Sequence, residues 1–234
     1  MKIGILQTGR APDNLQAAHG DYDKMSQAFL GLPDKNVRHY AVLDGEFPDS
    51  VSDCDGWFIT GSRFGVYEDH GWIAPLEAFI RWAHAEKRKM VGVCFGHQII
   101  AQALGGTVEK FEGGFSVGAV DYTLRGRLKP SSKAGSDKTR LNAYHQDQVK
   151  VPPEAAEVIL TSDFCQFAGF AYGDWGLSVQ PHPEFEGAYL KDLVVERRGR
   201  GLSENLVDNA LLSLESPAQT YFQTQIREFF GIVT

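Results

Sequence analysis

Residues 91–98 constrain the fold of this chain more than any other segment, because they read Val-Gly-Val-Cys-Phe-Gly-His-Gln. A short apolar run ends at the pattern Gly-x-Cys-x-Gly, and apolar residues then recur at helical spacing as far as residue 104. A strand that turns sharply into a helix exposes the residue at the turn on the edge of a sheet. The segment therefore predicts an α/β fold with Cys94 at a strand-to-helix turn.

The same alternation of strand and helix patterns extends over the first hundred residues. Short apolar runs at residues 2–6, 37–42, 56–60 and 89–93 predict strands. Residues 73–88 place apolar side chains three or four positions apart, as one buried face of a helix requires. This alternation predicts parallel strands covered by helices.

The middle of the chain is β-rich and the last fifth is helical. Further strands are predicted at residues 107–111, 116–124, 157–160, 166–172 and 177–180, and helices within residues 185–233. The Ser-rich residues 129–138 predict a surface loop and not a domain boundary. The sequence therefore predicts one α/β domain over residues 1–234, with a mostly parallel central sheet flanked by helices and additional strands from the middle of the chain.

Composition limits the partners of the chain. The formal net charge of −7 argues against a broad nucleic-acid-binding surface, and we interpret the local basic run Arg-Arg-Gly-Arg at residues 197–200 as a solvated helix end. No run of about 18 apolar residues occurs, and Gln7 interrupts the first apolar stretch before a signal-peptide core can form. We therefore expect a cytoplasmic protein that binds neither nucleic acid nor membrane.

The three cysteines are too few and too widely spaced for a disulfide framework, which indicates reduced thiols. A thiol attacks a carbonyl as the thiolate, whereas a free Cys, with a pKa of about 8.5, is mostly protonated at neutral pH. The start of a helix favours the thiolate of Cys94, and a neighbouring His can accept its proton. The residues alone equally allow Cys94 to be a buried core residue. Cys54, between two Asp residues, and Cys165, in a β-type run, are expected to be inert.

A possible base for Cys94 follows the last predicted strand, where residues 180–184 read Gln-Pro-His-Pro-Glu. Alternate residues of an extended segment point to the same side, so Glu184 can hold the imidazole of His182. Cys94, His182 and Glu184 would then form a nucleophile, a base and an orienting acid. His97, three residues after Cys94, is a rival base, although its helical position can direct it into the fold.

We expect no metal or cofactor. A zinc deaminase would need a Pro-Cys-x-x-Cys partner for His182-x-Glu184, and neither that pair nor His-Glu-x-x-His occurs in the sequence.

With both segments identified, the chain resembles a class I glutamine amidotransferase domain, the kind found in GMP synthetase. The matching motifs are residues 92–98, the His-Pro-Glu at 182–184 and the Thr-Gly-Ser at 60–62. The Thr-Gly-Ser loop, with Asp-His-Gly-Trp-Ile at residues 69–73, is more similar to stand-alone members of the family, including plant γ-glutamyl peptidases. The resemblance implies a flavodoxin-like fold over nearly the whole chain.

The resemblance also implies roles for residues around the nucleophile. Cys94 would form a γ-glutamyl thioester, while His182 protonates the leaving amine and then activates water. Backbone N–H groups of Gly61, Ser62 and Phe95 would form the oxyanion hole. By the same resemblance the substrate-binding residues would be Gln98, Tyr144 and His145.

The expected function is Cys-dependent hydrolysis of a γ-glutamyl amide through this thioester, the glutaminase half-reaction of an amidotransferase. The sequence contains no Gly-x-x-x-x-Gly-Lys-Ser/Thr loop, so an acceptor of ammonia would lie on a separate synthetase subunit. One alternative is a γ-glutamyl peptidase that acts on conjugates without ammonia transfer. Another is a catalytically silent module that binds a small amino acid.

Overall fold

The structure is a computed structural model that describes residues 1–128, 137–216 and 221–232. Its strands are β1 (Ile3–Leu6), β2 (Val37–Tyr40), β3 (Gly56–Ile59), β4 (Lys89–Val93), β5 (Thr107–Lys110), β6 (Ser116–Leu124), β7 (Lys138–His145), β8 (Asp147–Val151), β9 (Glu157–Thr161), β10 (Gly169–Tyr172) and β11 (Gly176–Val179). Its helices are α1 (Asp13–His19), α2 (Tyr22–Leu30), α3 (Ile73–Ala85), α4 (Phe95–Ala103), α5 (Gly187–Glu196), α6 (Glu204–Ser213) and α7 (Tyr221–Phe230). Of the predicted surface loop, residues 129–136 lie outside the described residues.

Within the described residues, nine strands form one sheet in the order β2-β1-β3-β4-β11-β10-β9-β6-β7. Strands β2, β1, β3, β4 and β11 run parallel, and the other four join the same sheet antiparallel. Strands β5 and β8 form a separate antiparallel ribbon. The predicted fold class is confirmed: an α/β fold with a parallel region flanked by helices and added strands from the middle of the chain.

The parallel strands are buried on both faces, which explains why they read as continuous apolar runs. In β3, Trp57 and Ile59 pack towards α3 and α4, whereas Phe58 packs on the opposite face with α2 and α7. Gly4 of β1 has no side chain because the indole of Trp57 occupies the space that a Cβ would need. Helices α1, α5 and α6 share a third apolar cluster, which includes Phe185 and Tyr189.

The strand order positions the site. Strands β3, β4 and β11 are neighbours, with Ile59 opposite Gly92 and Val93 opposite Val179. Because the carboxyl ends of parallel strands lie at the same edge of a sheet, the segments that follow these three strands meet there.

Candidate active site

Cys94 lies between β4 and α4 in a backbone conformation that side-chain-bearing residues rarely adopt, with φ 49° and ψ −105°. Its N–H donates to the carbonyl oxygen of Val179 at 2.9 Å, and its carbonyl accepts from the N–H of Gln98 at 3.1 Å. The sheet and the helix therefore fix the strained residue from both sides.

The two glycines that flank Cys94 let the helix approach the sheet. A Cβ on Gly92 would collide with the carbonyl oxygen of Gly96, and a Cβ on Gly96 would lie 2.5 Å from the carbonyl oxygen of Ile59. Neither glycine has a positive φ. The sharp bend is at Cys94 itself, whereas the glycines allow close packing of α4 on β3 and β4.

His182 and Glu184 lie next to each other in the turn that follows β11. The Nδ1 atom of His182 is 2.7 Å from Oε1 of Glu184, and the two residues are only 3% and 7% exposed. A Cβ built on Gly61 would lie within 4 Å of both the His182 ring and Cβ of Cys94, so these two side chains are neighbours. The three residues predicted from the Gly-x-Cys-x-Gly and His-x-Glu patterns are therefore brought together at one edge of the sheet.

The charge of His182 is set by its neighbours. Burial by itself lowers the pKa of His182, but the negative charges of Glu184 and Cys94, with their hydrogen bonds, outweigh burial and raise this pKa to about 10. At neutral pH the arrangement therefore favours the protonated imidazolium form of His182.

The loop after β3 lies against this pair. A Cβ on Gly61 would be 2.7 Å from Cε1 of His182 and 3.7 Å from Cβ of Cys94. The hydroxyl of Thr8 donates to the carbonyl oxygens of Thr60 and Gly61, at 2.9 and 3.1 Å, and so anchors the loop.

Phe95 is the first residue of α4, where N–H groups lack a partner within the helix. Gly61, Ser62 and Phe95 thus surround Cys94, and their assignment to an oxyanion hole stays a prediction.

A cavity of about 270 Å³ opens above Cys94. The predicted substrate-binding residues Gln98, Tyr144 and His145 all line it. The cavity is also lined by charged residues that the sequence analysis did not select: Arg63, Glu68, Lys110, Asp147 and Arg197.

Two of these charged residues gave a signal in the sequence. Asp147 lies two residues after His145, one of the predicted substrate-binding residues, and Arg197 belongs to the basic run that we interpreted as a solvated helix end. That interpretation holds for Arg198, which pairs with Glu204 and Asp208, but not for Arg197, which faces the cavity.

Gln98 and His145 differ in how many of their polar side-chain atoms have hydrogen-bond partners within the protein. The side-chain amide of Gln98 donates to the carbonyl oxygen of Asp147 at 2.9 Å and to Oε1 of Gln180 at 3.0 Å. Both of its N–H groups therefore bind the protein, which leaves its oxygen for a ligand. Neither ring nitrogen of His145 has a hydrogen-bond partner in the described part of the chain. Burial, assisted by the charge of His182, lowers the pKa of His145 to about 3, so His145 is neutral.

His97, the rival base, is fully buried in the core. Its Nδ1 is 2.8 Å from the hydroxyl of Ser178, its Nε2 is 3.0 Å from the carbonyl oxygen of Phe167, and its ring stacks on Phe170. Burial lowers the pKa of His97 to about 3. With both nitrogens occupied and its ring packed away from Cys94, His97 has a structural role.

The other two cysteines are buried. Burial raises the pKa of the Cys54 thiol to about 11 and that of the Cys165 thiol to about 12. For Cys54 the neighbouring Asp residues, which the sequence analysis emphasised, add less than burial does. Both thiols are protonated at neutral pH, which agrees with the expectation that they are inert.

The described residues contain no group of three or more His, Cys, Asp or Glu side chains arranged to hold a metal ion. None of the helices in residues 1–128, 137–216 and 221–232 has the length and apolar character needed to cross a membrane.

The fold, with Cys94 at the carboxyl edge of its parallel strands, defines a class of α/β protein. Comparisons with known sequences and structures identify the family within this class. The family described as glutamine amidotransferase class-I matches residues 38–197, and the chain belongs to this family. The chain is 30% identical to γ-glutamyl peptidase 5 of Arabidopsis thaliana, over 92% of this chain and 89% of that protein. It is also 30% identical to γ-glutamyl peptidase 2 of the same plant, over 82% and 79% of the two chains.

A solved glutamine amidotransferase structure from Thermotoga maritima shares the fold. It superposes with a TM-score of 0.73 over 98% of both chains, at 18% sequence identity. The predicted family resemblance is therefore confirmed.

Proposed function

We propose that this protein is a Cys-dependent hydrolase of γ-glutamyl amides, with Cys94 as nucleophile, His182 as acid and base, and Glu184 as the residue that orients His182. The observation that carries the proposal is the convergence of these three side chains, with Cys94 held in a strained strand-to-helix turn and lining a cavity. Family membership and the names of the peptidase relatives support the choice of bond.

The first half of the proposed reaction forms a thioester. The thiolate of Cys94 attacks the γ-carbonyl carbon, and the oxygen of that carbonyl becomes an oxyanion that backbone N–H groups of Phe95 and the Gly61-Ser62 loop stabilise. Loss of one such donor typically costs about 3 kcal/mol of transition-state stabilisation. The imidazolium of His182 gives its proton to the departing amine, and the C–N bond breaks to leave a γ-glutamyl thioester.

Water completes the cycle. His182, now neutral, accepts a proton from the attacking water, and the resulting tetrahedral intermediate expels the Cys94 thiolate to release glutamate. Glu184 keeps Nδ1 of His182 protonated throughout, so Nε2 is the atom that exchanges protons with the substrate.

The charges of the cavity suit a γ-glutamyl group. Such a group carries a free α-carboxylate and a free α-ammonium, and the cavity presents both basic and acidic side chains. We assign Gln98, Tyr144 and His145 to this end of the substrate, because all three line the cavity beside Cys94.

The leaving group distinguishes two versions of this activity. With glutamine as substrate the product is ammonia, which a separate synthetase subunit would consume; with a γ-glutamyl peptide the product is an amine. The similarity to proteins named γ-glutamyl peptidase favours the peptide.

The test measures ammonia release from glutamine and amine release from γ-glutamyl dipeptides, with α-glutamyl dipeptides as the control for the position of the bond. We expect turnover of γ-glutamyl compounds only, and loss of that turnover in Cys94→Ala. If all γ-glutamyl compounds are bound without turnover, the protein is a binding module and the proposal is wrong.

A further inference from the structure

The catalytic turn, which we define as residues 182–185, carries both His182 and Glu184 but belongs to neither a helix nor a strand. Its own closing bond, from the N–H of Phe185 to the carbonyl oxygen of His182, is long at 3.3 Å. Contacts from elsewhere in the fold must therefore hold these two side chains in place.

Asn142, on β7, contacts the turn at both ends. Its carbonyl oxygen accepts from the N–H of His182 at 2.7 Å, and its side-chain Nδ2 donates to the carbonyl oxygen of Phe185 at 2.8 Å. Asn142 is 2% exposed, so both bonds are shielded from water.

An asparagine at this position is costly to the fold. Asn has a low preference for strands, and a buried amide must be hydrogen-bonded to offset its desolvation. Its Oδ1 has no partner among the described residues, so the amide is only half satisfied. The Nδ2 bond to the turn offsets part of this cost, and an apolar residue of similar size could not make that bond.

Phe185 connects this bond to the imidazole. Its ring stacks on His182, with 3.9 Å between ring centroids and 7° between planes, and its other contacts include Tyr189 at 4.7 Å. A hydrogen bond that holds the main chain of Phe185 therefore also holds the aromatic ring on which the imidazole of His182 stacks.

We propose that Asn142 is a positioning residue for His182, acting through the hydrogen bond from its Nδ2 to the main chain of Phe185 and through the Phe185 ring. The inference rests on the proposed function in that His182 is the base of Cys94. It assigns to Asn142 and Phe185 the task of holding the imidazole where it pairs with the thiol.

The test measures the rate of Cys94 alkylation by iodoacetamide between pH 5 and 9, with peptide mass mapping to separate Cys94 from Cys54 and Cys165. Alkylation requires the thiolate but no substrate, so it reports on the pairing of Cys94 with His182 independently of turnover. The variants are Asn142→Ala, which removes the Nδ2 bond and keeps the main chain, and Phe185→Leu, which removes the stacked ring.

We expect both variants to be alkylated about tenfold more slowly than the wild type at pH 6, equivalent to the net contribution of one hydrogen bond. On a γ-glutamyl substrate kcat should fall while KM changes little, because the cavity is not altered. Two control variants remove comparable groups elsewhere. Asn36→Ala breaks a side-chain hydrogen bond to the carbonyl oxygen of Met1 at 2.9 Å, and Phe222→Leu removes a buried ring on α7. Both controls should follow the wild-type alkylation profile.

A folded Asn142→Ala variant whose alkylation profile coincides with that of the wild type would overturn the inference. If Asn142→Ala does not fold, Phe185→Leu provides the test, because it removes the stacked ring and leaves both Asn142 bonds in place. A wild-type alkylation profile for folded Phe185→Leu would then overturn the inference. A wild-type protein that is alkylated readily at pH 6 but hydrolyses no γ-glutamyl amide would instead overturn the proposed function, and the alkylation profiles would still test Asn142.

Discussion

Gly61→Ala tests whether the loop after β3 must lie as close to the Cys–His pair as the structure places it. The added Cβ would be 2.7 Å from Cε1 of His182. An ordinary contact between carbon atoms is about 3.5–4.0 Å, so the loop and the ring must separate by about 1 Å. The imidazole has little freedom to move, because Phe185 stacks on it and Glu184 holds Nδ1 at 2.7 Å.

A displacement of about 1 Å in a catalytic group costs roughly 10²-fold in rate, which corresponds to about 2.7 kcal/mol. We therefore expect kcat/KM of Gly61→Ala on a γ-glutamyl dipeptide to fall about a hundredfold, with a melting temperature close to that of the wild type.

The matched control is Gly71→Ala, in the same connection between β3 and α3, where an added Cβ meets nothing within 4 Å. This variant should keep wild-type kcat/KM. If Gly61→Ala is folded and retains kcat/KM within twofold of the wild type, the close approach of the loop to His182 has no catalytic importance and the reasoning is refuted.

Two further predictions concern stability. Gly96→Ala would put a Cβ 2.5 Å from the carbonyl oxygen of Ile59, so we expect it to lower the free energy of unfolding in urea by about 1–3 kcal/mol. Gly187→Ala is the control and should be neutral, because its Cβ meets nothing within 4 Å. Equal urea midpoints for the two variants would contradict the packing argument. His97 and His145 have pKa values of about 3 in the folded protein, against about 6.5 in the unfolded chain. Between these two values the unfolded state binds more protons than the folded state. The stability that the neutral histidines contribute is therefore present above pH 6.5 and is lost as the pH decreases. Together they should cost about 3 kcal/mol between pH 6.5 and 5, and an unfolding free energy that stays constant over this range would show that these histidines are not held neutral.

The sequence predicted the parallel part of the fold well, because its signals are local. Strand β4 was predicted with its observed bounds, and α3 was predicted to start where it does, since buried strands and amphipathic helices have distinct periods. Strands β7 and β8 were not predicted. Strand β7 pairs with the preceding strand β6, but it carries buried polar residues such as Asn142, which interrupt the apolar pattern of a strand. Strand β8 pairs with the more distant β5, a contact that local patterns do not reveal.

The candidate site was likewise predictable only where the sequence signal is local. The convergence of Cys94, His182 and Glu184 at one edge of the sheet was predictable, because each residue lies in a short motif at the end of a strand. Lys110 gave no such signal, because its place beside the cavity depends on how the β5–β8 ribbon folds over the sheet edge. The close packing of α4 on the sheet at Gly92 and Gly96 was also not predicted, since such packing leaves no mark in the sequence beyond the glycines themselves.

The central claim is that one thiol of the three is poised for attack, and covalent labelling tests it most directly. The wild-type protein is treated at pH 7 with an electrophilic glutamine analogue, and the site of modification is located by peptide mass mapping. The account predicts modification of Cys94 alone and none in Cys94→Ser. Modification spread over Cys54 and Cys165, or labelling that persists in Cys94→Ser, would contradict it.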